Sequence, residues 1–162
     1  MSAPAPAPAS GRGDGLPTTG RLLGIDLGEV RIGLAVSDPG QVVASPAETL
    51  QVPRGADGPA VDALVDAAGR HDAAGLVVGY PRNLDGREGR AATRARRFAD
   101  QLRERTGLPT LLWDERFTTV EAERIMIDAD VSRAGRKQAV DQVAASVLLQ
   151  GVLEAQRARR RR

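Results

Sequence analysis

Apolar residues along this chain recur first at every second position and then at helical spacing. Residues 21–27, RLLGIDL, set Leu23, Ile25 and Leu27 against Leu22, Gly24 and Asp26, the period of a strand. The following GEV supplies a tight turn, residues 30–37 (VRIGLAVS) predict a second strand, and Asp38-Pro39-Gly40 ends it. Residues 42–50 (VVASPAETL) predict a weaker third strand, which Pro46 assigns to an edge or bulge because proline donates no ladder hydrogen bond. The period then changes. Within 59–70, Val61, Leu64, Val65 and Ala68 fall on one helical face. GLVVGY (75–80) is a short apolar run suited to a buried parallel strand. Residues 88–105 predict an Arg-rich helix with Ala91, Ala95, Phe98 and Leu102 inward, closed by Gly107 and Pro109. TLLW (110–113) predicts a second buried strand. Thr119 caps a helix over 120–129, with Glu121 and Glu123 near its positive end, and a last helix runs from Gly135 to Gln156. A three-strand meander followed by helices and parallel strands predicts one mixed α/β sheet with helices on its faces.

Composition narrows this picture. A chain of 162 residues suits one domain with a sizeable core. The first twenty residues alternate Ala with Pro and then turn Gly-rich, which predicts a disordered tail at 1–20. An Arg-rich tail is expected at 157–162, leaving 21–156 as the ordered domain. The N-terminus has neither the basic start nor the apolar stretch of a signal peptide, and no later run is long and apolar enough for a membrane span. The expectation is a soluble, cytoplasmic protein that does not engage membranes. With no Cys, and His71 as its only His, the chain excludes disulfides, thiolate zinc and His-cluster metals. The formal charge of +2 divides unevenly, since residues 21–156 hold 17 basic and 20 acidic groups. Basic character therefore resides in the tail, and the overall balance is a weak argument for nucleic acid.

Within that acidic domain, three positions put carboxylates where apolar residues are expected. Asp26 shares a strand face with Leu22 and Gly24, and burying an unpaired carboxylate there costs several kcal/mol. Asp114 and Glu115 follow a strand at its carboxyl end, where α/β ligand sites gather. Asp141 heads a helical stripe of Ala144, Ala145, Leu148, Leu149 and Val152, so it aims at the sheet. Each has a plain structural alternative: a turn cap or Arg partner for Asp26, a helix cap and surface acid for the pair, and Arg136 or Lys137 as partner to Asp141. Taken together, the acids predict an oxygen-ligand site for Mg²⁺ or Mn²⁺. Such ions activate water for attack on a phosphodiester. The loop from Gly79 to Gly86 leads into a segment, Arg82 to Arg105, with eight Arg against four acids. Most of those Arg are expected in solvated ion pairs. Arg82, Arg87 and Arg90 are the expected phosphate contacts.

The motif GIDLGEVRIGLAVSD (24–38), continued by VGYPRNLDGREG (78–89), DERFTT (114–119) and KQAVDQVAA (137–145), resembles the YqgF (RuvX) family over about 21–156. That resemblance implies a ribonuclease H-like fold and a nuclease acting in 5′-end maturation of pre-16S rRNA. Holliday-junction resolution, or non-catalytic RNA binding in ribosome assembly, stands as the alternative. It further implies Asp26, one member of the Asp114-Glu115 pair and Asp141 as catalytic metal ligands. The family pattern does not choose within the pair, and Glu115 is taken as the ligand with Asp114 supporting or alternate. Arg31, Arg82, Asn83, Arg87, Arg90, Arg116 and Lys137 become the candidate nucleic-acid contacts. Structured RNA or branched DNA is the implied partner, bound by a monomer or homodimer. GIDLG is also similar to the phosphate turn of actin-like ATPases and sugar kinases, but those need two lobes, for which this chain is too short.

Overall fold

The computed structural model describes residues 15–80, 89–115 and 136–161, with side chains in the last segment described from Val140 onward. The elements run β1 (Arg21–Leu27), β2 (Arg31–Ser37), β3 (Ala44–Gln51), α1 (Asp57–Arg70), β4 (Ala73–Tyr80), α2 (Arg90–Thr106), β5 (Thr110–Asp114) and α3 (Arg136–Arg160). The expected helix over 120–129 lies outside the described residues.

The strand order is β3-β2-β1-β4-β5. β1 pairs antiparallel with β2, β2 antiparallel with β3, and the β1–β4 and β4–β5 ladders are parallel. Meander and crossover strands thus share one sheet, as the pattern predicts. Pro46 lies on the edge strand, and the β2–β3 register shifts between Leu34 and Ala35. The shift admits a residue that cannot donate to the ladder.

Alternation along the central strands builds two cores. Leu23, Ile25, Ile32, Leu34, Leu76, Val78 and Leu112 pack under α1 and α2 with Leu64, Phe98 and Leu102. Leu22, Ala35, Val77, Leu111 and Trp113 pack under α3 with Ala145, Leu148, Leu149 and Val152. Ala144, expected in that stripe, is exposed. Gly24 is the reason α3 lies so close, because a Cβ there would stand 2.9 Å from that of Leu149. α3 is also tied to the edge: Ala44 N–H donates to Gln150 Oε1 at 2.9 Å, and Gln142 Nε2 donates to Thr49 Oγ1 at 3.2 Å.

Both predicted tail boundaries shift outward. Leu16 packs on the second core, Pro17 lies against Gly75, and Gln41 Nε2 donates to the Pro17 and Gly20 carbonyls at 3.0 Å. Residues 15–20 are therefore seated on the sheet, an outcome set by two apolar side chains and a polar clasp that local composition does not reveal. At the other end α3 continues to Arg160. There Arg157 donates to the Val42 carbonyl and Arg160 to that of Thr18. Both arginines reach backbone acceptors while remaining at the exposed end of the helix.

Edge strand and α1 are joined by Glu48, which accepts from Arg70 Nη2 at 2.7 Å and Nη1 at 2.8 Å and meets His71 Nε2 at 3.1 Å. Those hydrogen bonds, Arg70 foremost, hold its carboxyl down at about 2 against an ordinary 4.5. A carboxyl depressed on folding stabilises fully above its unfolded value, and the contribution is lost as pH falls through the folded one. Stability should therefore decline as pH drops from 4.5 toward 2. Glu48→Gln should flatten that part of the pH profile of urea midpoints, by about 1 kcal/mol or less since the pair is partly exposed. An unchanged slope would remove Glu48 from the acid response.

Candidate functional site

β1, β4 and β5 all finish at one end of the sheet, where β2 begins and β3 stops. The candidate acids collect at that end. Asp26 pairs in register with Gly33 and faces α3, like Leu22 and Gly24 before it. Asp141 arrives from α3 directly over Gly33: a Cβ on that glycine would lie 1.9 Å from the Asp141 carbonyl oxygen. A bare Cα at Gly33 thus lets the helix backbone rest on β2 beside Asp26. From the other side comes Glu115, whose Oε1 would be 2.9 Å from a Cβ on Gly79. Two glycines on the α3 face therefore leave room for two of the three acids.

The charges of these groups are felt mutually. Burial and, after it, the negative charge of Asp141 push the Asp26 carboxyl above its ordinary value. Glu115 is raised likewise, by desolvation first and then by the charges of Asp26 and Asp114. Carboxyls shift upward when anions crowd without a compensating cation. Such a grouping has a latent affinity for positive charge.

Asp114 differs from the other three. It is the residue after Trp113, pairs in register with Tyr80, and is 1% exposed. By strand alternation it faces the α1/α2 side with Leu112, whereas Trp113 and Glu115 face α3. Asp114 thus falls on the face opposite Asp26, while its charge is still felt at Glu115. Sequence alone could not order the pair, because the choice depends on which side of β5 packs against α3.

Asp141 has a cationic neighbour in Arg31, while the side chains of Arg136 and Lys137, weighed from sequence, lie outside the described residues. Arg31 Nε lies 3.0 Å from Asp141 Oδ2, their side chains being 42% and 21% exposed. Neither atom has a hydrogen-bond partner, so the contact is electrostatic without donor alignment. Among the described residues, no group of three acidic or His side chains is gathered tightly enough to hold a metal ion as it stands.

The expected phosphate contacts divide. Arg90 is exposed at the first residue of α2. Arg82, Asn83, Arg87 and Arg116 lie outside the described residues, as does the side chain of Lys137. Further along α2 the solvated-pair expectation holds, although partners come from other elements as well as from α2. Arg94 and Arg97 reach Asp57 at 3.2 and 2.7 Å, Arg105 reaches Asp62 at 2.5 Å, and Arg103 pairs with Asp100 at 3.1 Å. Arg94 also donates to the Gly28 carbonyl at 2.6 Å, bracing the β1–β2 turn. Arg96 lies over the Tyr80 ring, 4.7 Å from its centroid, and donates to the Tyr80 hydroxyl.

Comparison with known proteins identifies the family and the fold. The RuvX family profile, described as Holliday junction resolvase, matches residues 20–155. A Rhodopirellula baltica protein provisionally named a pre-16S rRNA nuclease is 47% identical over 148 residues, covering 90% of this chain and 83% of that protein. A Shouchella clausii protein with the same provisional name is 44% identical over 138 residues, covering 84% and 96%. Thermus thermophilus RuvC shares the fold with a TM-score of 0.57 at 14% identity, over 86% of this chain and 96% of that one.

Proposed function

The chain belongs to the RuvX family, and from that premise we propose that it is a divalent-metal-dependent nuclease acting in 5′-end maturation of pre-16S rRNA. The observation that carries this reading is the chain of charge at one sheet end, where Asp26 feels Asp141 and Glu115 feels Asp26, with the carboxyls of Asp26 and Glu115 both pushed up. The names given to the relatives supply the RNA substrate. No helix among the described residues is long and apolar enough to cross a membrane, and a cytoplasmic site of action follows from the proposed substrate.

The donor set fits Mg²⁺ or Mn²⁺: all oxygen, anionic, with Asp141 Oδ2 lacking a hydrogen bond. Asp26, Glu115 and Asp141 would hold the ion, which when bound polarises the phosphate, activates water and stabilises the departing oxygen. Asp26 and Glu115 would bind the ion as carboxylates, so protonation at low pH would compete with loading. Buried Asp114 backs the end of β5, and Gly79 and Gly33 leave the space that the Glu115 side chain and the Asp141 backbone occupy.

The test incubates the purified chain with a 5′-extended 16S precursor and, separately, a four-way DNA junction, with Mg²⁺, with Mn²⁺ or with EDTA. Metal-dependent shortening of the RNA is expected. Cleavage that persists in EDTA would overturn the metal reading, and cleavage confined to the junction would overturn the substrate. Glu115 and Asp114 separate in the same assay. Glu115→Gln should lower the rate by on the order of 10²–10³, the scale of losing one strong electrostatic group. Asp114→Asn should keep the Mn²⁺ affinity within about threefold of wild type by calorimetry, because Asp114 faces away from the ion. The reverse ranking would restore Asp114 as the ligand.

A further inference from the structure

Arg31 is the one cation described beside the acids, and its contact is incomplete. A guanidinium that serves a carboxylate structurally aligns N–H groups on its oxygens, often two at once. Arg31 Nε and Asp141 Oδ2 stand 3.0 Å apart without that alignment, and both atoms lack hydrogen-bond partners. The pair has charge complementarity without the geometry of a permanent tether. On its other side, Arg31 lines a cleft of about 420 Å³ with Val30, Gln51, Val52 and Pro53. That volume is within the range of ligand pockets, about 300–1,000 Å³. None of the five lining residues is acidic, so the cleft offers the guanidinium room but no competing anion. The β1–β2 turn that carries Arg31 is fixed, with Gly28 N–H donating to the Arg31 carbonyl at 2.9 Å. Only the side chain needs to move.

We propose that Arg31 is the protein's own counter-cation at this site: it holds Asp141 while no metal is bound, and turns into the neighbouring cleft to meet a substrate phosphate once a metal takes that carboxylate. This rests on the metal reading above. A doubly charged ion and a guanidinium repel one another across a shared carboxylate, so each weakens the other's hold. The same guanidinium, once released into the cleft, offers its charge to an incoming phosphodiester. Metal and nucleic acid thereby favour each other reciprocally through a single side chain.

The deciding experiment titrates Mn²⁺ into the full chain without nucleic acid, by calorimetry and by the electron-spin signal of free Mn²⁺. It compares wild type with Arg31→Gln, Arg31→Lys, Asp26→Asn and the double variant Arg31→Gln/Asp141→Asn. Arg31→Gln should bind Mn²⁺ about 10-fold more tightly, from loss of a competing charge a few ångströms from the ion. The gain should vanish when Asp141 is also replaced. At saturating Mn²⁺, kcat/KM on RNA should nonetheless fall about 10-fold or more, because the phosphate contact is gone. Tighter metal with slower cleavage is an outcome that a purely structural Arg31 would not produce. Unchanged or weaker Mn²⁺ binding in Arg31→Gln, with binding still lost in Asp26→Asn, would overturn the counter-cation role and leave the metal site standing. No Mn²⁺ binding by wild type would overturn both. An unchanged kcat/KM would remove the phosphate contact. Should Arg31→Gln fail to fold, Arg31→Lys keeps the charge and loses the Nε contact, and a twofold to threefold tightening is then expected.

Discussion

Asp26→Asn should abolish cleavage and, in the same protein, raise the melting temperature measured without metal. The two effects share one cause. Asp26 sits on the face of β1 that carries Leu22 and Gly24, partly desolvated and close to the charge of Asp141, and its carboxyl is pushed up. A carboxyl raised on folding stabilises only while protonated. The penalty of ionising it begins above the unfolded value and is fully present once pH exceeds the folded one. At neutral pH an amide of the same shape removes that penalty, a gain of about 1 kcal/mol, or about 3 °C for a chain of this size. Catalysis moves the other way. Losing a central ligand removes several kcal/mol of transition-state stabilisation, on the order of 10³-fold in rate. Melting can be followed through Trp113, the only tryptophan, buried two residues before Glu115. A lower melting temperature with intact cleavage would contradict both the electrostatic account of Asp26 and its assignment as a ligand.

Gly33→Ala should produce the largest loss of stability from a single methyl group. Its new Cβ would lie 1.9 Å from the Asp141 carbonyl oxygen and 2.4 Å from the carbonyl carbon. Those are backbone atoms of α3 and have no rotamer through which to retreat. The helix start must lift from β2, at a cost of about 3 kcal/mol, the upper range for overpacking, and about 10 °C in melting temperature. Gly69→Ala is the control. It adds the same methyl within α1, where nothing lies within 4 Å, and should be neutral or slightly stabilising. Lifting α3 also withdraws Asp141, so Gly33→Ala should lose Mn²⁺ affinity even below its melting temperature. Equal melting temperatures for the two variants would mean that the helix does not bear on Gly33.

Much of this site was legible before any coordinates, and the reason is periodicity. The two-residue period of RLLGIDL put Asp26 on the face of Leu22, and the apolar stripe of α3 turned Asp141 inward. Both depend only on neighbours in sequence. What stayed hidden was set by distant residues. Asp114 and Glu115 are adjacent, so alternation sends them to opposite faces but cannot say which face α3 will cover. Arg31 was grouped with the phosphate contacts, yet in the fold it stands against Asp141, a partner far along the chain. Seated residues 15–20 were hidden for a similar reason: Gln41, their clasp, lies beyond a turn and a pair of strands. Gly33 reads in sequence as one small residue in a strand. Only the packing of α3 shows that no other residue fits.

The order of manufacture follows from the place of α3 in the chain. Every described strand, along with Asp26 and Glu115, is synthesised before the helix that brings Asp141. Synthesis proceeds at roughly 5–20 residues per second, so a nascent sheet waits a few seconds with one face uncovered. During that wait Leu22, Val77, Leu111 and Trp113 lack their cover, and two of the three acids have no third. On the proposed reading, docking of α3 both covers this face and delivers the third acid, so a chain interrupted before α3 should show no cleavage.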